Sequence, residues 1–147
     1  MGPTFHAKLV PELKVSDLAA SLRFWRDVLD FRVVYGRPEE GFAYLDLDGA
    51  QIMLDQRGQG APERRGIWET GPLEHPFGRG VNFQVQASDL ETIQARLAAV
   101  GVPIYFGPET RWYRVGAAEI GVQQFLVQDP DGYLVRLQRK IGERQAA

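Results

Sequence analysis

The chain states one pattern twice. "LKVSDLAASLRFWRDVL", from Leu13, and "VQASDLETIQARLAAVG", from Val85, each read as a strand, Ser-Asp-Leu and an amphipathic helix. Leu18, Leu22, Trp25 and Leu29 recur at helical spacing in the first copy; Leu90, Ile93, Leu97 and Val100 do so in the second. Strand-like runs follow each helix. After the first come "FRVVYG", "FAYLDLD" and "QIMLDQ", punctuated by Gly41 and Asp48-Gly49. After the second come "PIYFG", a run near "RWYRV", "QQFLVQD" and "YLVRLQR". The plan is strand, helix, three strands, given twice. An internal repeat of this kind fixes the architecture before any single residue is interpreted.

Module one therefore spans about residues 8–55 and module two about 80–138, within a single domain covering 1–147. Residues 56–79 between them are rich in Gly, Pro and charge, and form a linker or binding loop longer than most. Ser88 and Glu91 make a capping-box pattern, and Ser16 and Ser88 are read as helix caps rather than nucleophiles. In "QDPDGYLVRL", Asp129 to Gly132 supply turn chemistry ahead of the last strand. The tail "GERQAA" is expected to fray.

Side chains alternate across a strand. Leu13 and Val15, Ile52 and Leu54, Phe83 and Val85, and Val135 and Leu137 should pack under the helices. The other face then carries Glu12 and Lys14, Met53 and Asp55, Asn82 and Gln84, and Arg136, with Phe42, Tyr44 and Asp46 beside them. Alternation alone leaves two readings: the solvated side of a half-exposed sheet, or, since large twisted sheets curl, the lining of a polar cup.

Composition narrows the function classes. The net charge of −2 gives no support for nucleic-acid binding. There are no cysteines, which removes disulfides, thiolate metal sites and thiol nucleophiles, and fits a cytoplasmic protein. No run approaches the roughly 18 apolar residues of a membrane span, and Met1 to Val10 lack the apolar stretch of a signal peptide. No paired-His spacing, Gly-rich phosphate loop or nucleophile elbow is present. His6, near the N-terminus, and His75, before Pro76, read as solvated.

"VPELKVSDLAASLRFWRDVLDFRV", the repeat and "FLVQDPDGYLVRLQ" resemble the vicinal-oxygen-chelate superfamily of glyoxalases, extradiol dioxygenases, fosfomycin-resistance enzymes and bleomycin-resistance proteins. The likeness runs from about Lys8 to Gln138. It implies an α+β fold in which two βαβββ modules form a curled eight-stranded mixed sheet around a cup, helices outside. In the metalloenzymes of that group, ligands come from the first, fourth, fifth and eighth strands. Those places fall at Val10, Met53, Asn82 and Arg136. Val10 has no donor, Met53 is a soft thioether, Asn82 is a poor anchor alone, and Arg136 is a fixed cation. Glu12, Asp55 and Glu119, with His6 and His75, are the alternatives under a slipped register.

The resemblance is nearest to the bleomycin-resistance branch, which implies a metal-free small-molecule binder acting by sequestration. It also implies a homodimer that exchanges its N-terminal strand near Pro11. That branch's drug-stacking aromatics fall here at Asn82 or Gln84 and about Ile120. The residues expected to bind ligand are Phe42, Asp46, Trp68, Asn82, Gln84, Trp112, Tyr113, Glu119 and Arg136, with no catalytic residue, cofactor or metal. Of Trp112 and Tyr113, one must face the cup side and the other away; Glu119 reads as a turn residue or an acidic wall. The competing readings are a metal-dependent glyoxalase-like lyase or dioxygenase, and a dimer whose cup is a relic.

Overall fold

The computed structural model describes residues 6–147. The chain divides into two compact units, the division falling between Phe77 and Gly78. Each is a βαβββ module with its own four-stranded mixed sheet, so the fold is α+β with eight strands. Hydrogen bonding closes within each module, giving two sheets instead of one continuous eight-stranded sheet.

In module one the strands are β1 (Glu12–Val15), β2 (Arg32–Arg37), β3 (Phe42–Leu47) and β4 (Ala50–Gln56). Their order is β1-β4-β3-β2, with β1 parallel to β4 and the rest antiparallel. The helix α1 (Leu18–Leu22) widens into a π turn over Arg23–Val28 and packs on β4. It buries Trp25, whose ring meets Phe24 and Phe31 edge-on at 5.6 and 5.4 Å. Leu13, Val15, Ile52 and Leu54 are buried on that side, as alternation requires. The opposite face is less polar than expected. Val34, Phe42 and Tyr44 form a second buried cluster there, with Val10, Tyr35 and Met53 against it.

Module two repeats the plan with β5 (Asn82–Gln86), α2 (Leu90–Ala99), β6 (Phe106–Val115), β7 (Ala118–Gln128) and β8 (Leu134–Gln145), in the order β5-β8-β7-β6. The runs "PIYFG" and "RWYRV" contribute to one strand, β6, whose register shifts between Phe106 and Glu109. The tail does not fray: β8 pairs with β7 out to Gln145, opposite Ala118. Those last residues gain a strand partner that the sequence around them does not announce.

Both helices are capped one residue later than the Ser-based reading. Asp17 accepts from the Ala19 N–H at 3.0 Å, and Asp89 accepts from the Thr92 N–H at 3.0 Å. A carboxylate in that position serves the same unpaired amides as a serine would and adds favourable charge at the helix N-terminus. The 129–132 turn is as expected. Asp129 Oδ1 accepts from the amides of Asp131 and Tyr133, both at 2.9 Å, and Gly132 takes φ 92°, a value costly for a side-chain-bearing residue. Among the described residues no helix is long and apolar enough to cross a membrane.

Candidate functional site

In module one a cleft of about 280 Å³ opens beside the sheet face turned away from the helix. Parallel pairing sets Lys14 beside Asp55, and antiparallel pairing sets Phe42 on the other side of Asp55. Glu12, one alternation before Lys14, joins them. The far wall is the stretch Gly58–Glu69, including Trp68. The long inter-module segment is thus in large part a wall of module one's cleft.

Two aromatic side chains, Phe42 buried and Trp68 exposed, line this cleft together with several charges. The Arg37 guanidinium lies 4.1 Å from the Phe42 ring centre, and Arg64 lies 5.4 Å from that of Trp68. Trp68 keeps 54% of its surface exposed, which leaves much of a large apolar ring in water. Lys14 Nζ donates to Asp55 Oδ2 at 2.5 Å, Arg37 donates to Glu40 at 3.0 Å, and Arg57 donates to Glu69 at 3.2 Å. Glu12 has no hydrogen bond or ion pair among the described residues. Its side chain keeps a solvent-facing edge, yet loss of surrounding water raises its pKa above the usual glutamate value. The Asp55 carboxylate adds to the rise, and Lys14 and Arg37 pull against it.

In module two the face of the sheet away from α2 presents rows of side chains. One row runs Gln84, Arg136, Leu126 across β5, β8 and β7. The next runs Gln86, Gln138, Gln124 and then Glu109 of β6. Gln124 Nε2 donates to Glu109 Oε2 and to the Tyr113 hydroxyl, both at 2.8 Å.

The structure distributes the nine expected ligand residues. Phe42 and Trp68 line the module-one cleft. Asp46 is taken up within its own sheet: Oδ1 accepts from Gln51 Nε2 at 3.0 Å and from the Gly49 N–H at 3.2 Å. Asn82, Gln84 and Arg136 stand on the module-two face just described, and Tyr113 reaches it through its hydroxyl. Trp112 takes the opposite side of β6. It packs so closely over Gly121 that an added Cβ there would come within 2.8 Å of the indole. Arg144 covers its ring at 4.0 Å and donates to Glu119 at 2.7 Å. Glu119 is a strand residue of β7, not part of the turn, and holds that arginine in place. Sequence reasoning missed Gln124: nothing in its residue type marked it, and its place shows only in the bonds it makes to Glu109 and Tyr113.

The donor set at the metalloenzyme positions does not fit a hard divalent ion. Met53 pairs across from Glu12 and Arg136 from Gln84, so one pair offers a thioether and the other a guanidinium. Val10 belongs to the apolar cluster. Among the described residues no three His, Asp or Glu side chains converge.

The model of the glyoxalase/bleomycin resistance protein/dioxygenase superfamily matches residues 7–137. The chain belongs to that superfamily. A superfamily member from Vibrio splendidus 12B01 is 39% identical over 88% of this chain and 96% of its own, with a TM-score of 0.38. TioX from Micromonospora sp. ML1 is 22% identical, covering 92% and 99%, with a TM-score of 0.64. The fosfomycin resistance protein FosX from Listeria monocytogenes is 17% identical, covering 91% of each chain, with a TM-score of 0.58. These last two share the superfamily fold. No curated protein matches the sequence.

Proposed function

We propose that this superfamily member is a small-molecule binding protein of the antibiotic-resistance kind. It holds an aromatic ligand bearing a basic group, and protects by sequestration without making or breaking a bond. The carrying observation is Glu12, a carboxylate with no hydrogen bond or ion pair among the described residues, in a cleft that also exposes the flat surface of Trp68, with Phe42 buried in its wall beneath Arg37. A ligand ring takes the place of Arg64 over Trp68, and its basic group meets Glu12. Stacking contributes about 0.5–1.5 kcal/mol beyond burial, with a further gain where a cation lies over a ring. The resemblance to the bleomycin-resistance branch supports this reading, as does a donor set unsuited to the metal of the lyases and dioxygenases. A cytoplasmic homodimer belongs to the same proposal, with β1 exchanged about Pro11. Within one chain β1 pairs with its own β4, and the Pro11 carbonyl accepts from the Met53 N–H at 2.8 Å; exchange would supply that bond from a second copy.

Calorimetric titration of the purified protein with bleomycin-type drugs and simple aromatic cations tests the proposal. Saturable binding that W68A weakens about tenfold supports it. Absence of binding by all of them, together with metal-dependent turnover of thiol conjugates, would hand the site to the lyase reading. Elemental analysis giving one divalent ion per chain, removed only by chelators, overturns the metal-free state. Light scattering showing a monomer at micromolar concentration overturns the dimer.

A further inference from the structure

Two buried polar atoms on the module-two face have no hydrogen-bond partner among the described residues: Arg136 Nε and Gln124 Oε1. They lie on one side of adjacent strands. Arg136 stands opposite Leu126, and Gln124 stands opposite Gln138 two residues along β8. Such diagonal positions are separated by about 7–8 Å between backbones and by less between side chains. Gln124 is 2% exposed, so its open carbonyl is not serviced by bulk water.

The hydrogen bonds already present decide what Gln124 can take. Both amide N–H groups are committed, one to Glu109 and one to the Tyr113 hydroxyl. That fixes the amide orientation and leaves Oε1 only able to accept. Arg136 is the converse: a guanidinium with no acidic partner among the described residues, which can only donate. One face therefore presents a fixed cation wanting an anionic acceptor, and a diagonal carbonyl wanting a donor. The neighbouring Glu109 carboxylate further favours a donor at that end.

We infer that module two carries a site for a small carboxylate bearing an O–H or N–H donor on the adjacent carbon. The Arg136 fork takes the carboxylate and Gln124 Oε1 accepts from the donor. A guanidinium matches a carboxylate with two parallel hydrogen bonds, which a lysine cannot do. Each unpartnered atom of the free protein gains its missing bond in the complex, and a ligand carrying only one of the two groups supplies only one of those bonds. This site is separate in residues and in ligand chemistry from the aromatic-cation cleft of module one, and either can fail alone.

Titration of the full chain with lactate, alanine and propionate, followed by NMR of the Arg136 Nε–H and Gln124 side-chain amide signals, tests the inference. Lactate or alanine should move both signals saturably in the millimolar range, and propionate, which lacks the donor, should bind about tenfold more weakly. Lactate against alanine distinguishes a hydroxyl from an ammonium donor. R136Q should abolish the shifts, and R136K should retain only part of the affinity. Propionate binding as well as lactate would overturn the role of Gln124. No saturable shift in the wild-type protein with any of the three would overturn the site, whatever the folding of the variants.

Discussion

Asp46 separates a structural from a ligand-binding role most sharply. Its carboxylate sits at 7% exposure, at one end of a chain of hydrogen bonds. Gln51 Nε2 donates to it at 3.0 Å, while Gln51 Oε1 accepts from the Tyr44 hydroxyl at 2.6 Å and from the Ala7 N–H at 2.8 Å. Replacing Asp46 by Ala removes the acceptor for a buried amide, at a cost of about 1.5–3 kcal/mol for a charge-assisted bond. The bond from the Gly49 N–H at 3.2 Å adds about 0.5–1 kcal/mol, water being a ready substitute at that turn. Arg32, 3.6 Å away and mostly exposed, adds less than about 1 kcal/mol. D46A should therefore lose about 3 kcal/mol, and D46N, which keeps an acceptor oxygen, about 1 kcal/mol. Urea unfolding followed by tryptophan fluorescence and circular dichroism measures both. Binding of aromatic cations should be unchanged in D46N, because Asp46 does not line the cleft. A loss below about 1 kcal/mol in D46A, or loss of cation binding in the still-folded D46N, would refute this assignment.

E12Q should weaken cation binding yet stabilise the protein at neutral pH. Glu12 has a folded-state pKa raised by loss of water, so folding favours its protonated form. That contribution is fully present below the unfolded value and is lost as pH rises through the folded one, and a neutral glutamine escapes the loss. Equal melting temperatures for E12Q and wild type at neutral pH would contradict this. G121A should cost about 1–3 kcal/mol, since its Cβ would lie 2.8 Å from the Trp112 ring; the double variant G121A/W112L should recover part of that in thermal melts. D89A should lower the melting temperature more than S88A does, because Asp89 is the residue that caps α2. The hydrogen bonds from Thr92 hold its pKa below the ordinary value, so its contribution is present at neutral pH and fades as pH falls through that depressed pKa.

The sequence alone carried the architecture, because period is a property of sequence. Two copies of strand, Ser-Asp-Leu and amphipathic helix required two βαβββ modules, and alternation correctly placed Leu13, Val15, Leu54, Val135 and Leu137 beneath the helices. The same alternation put Glu12, Asp55 and Arg136 on the opposite faces, where they stand. Residue type could not show which polar groups are already satisfied. Asp46 and Glu12 share a face and a charge, yet register gives Asp46 the partner Gln51 and leaves Glu12 without one among the described residues. Trp112 and Tyr113 are neighbours in sequence, and the pairing of β6 with β7 decided between them. It set Trp112 against Gly121 under Arg144, and aimed the Tyr113 hydroxyl at Gln124. Trp68 became part of a cleft only because the long loop folds against its own module. Hydrogen-bond satisfaction and loop placement join residues far apart in sequence, and only the tertiary structure brings those residues together.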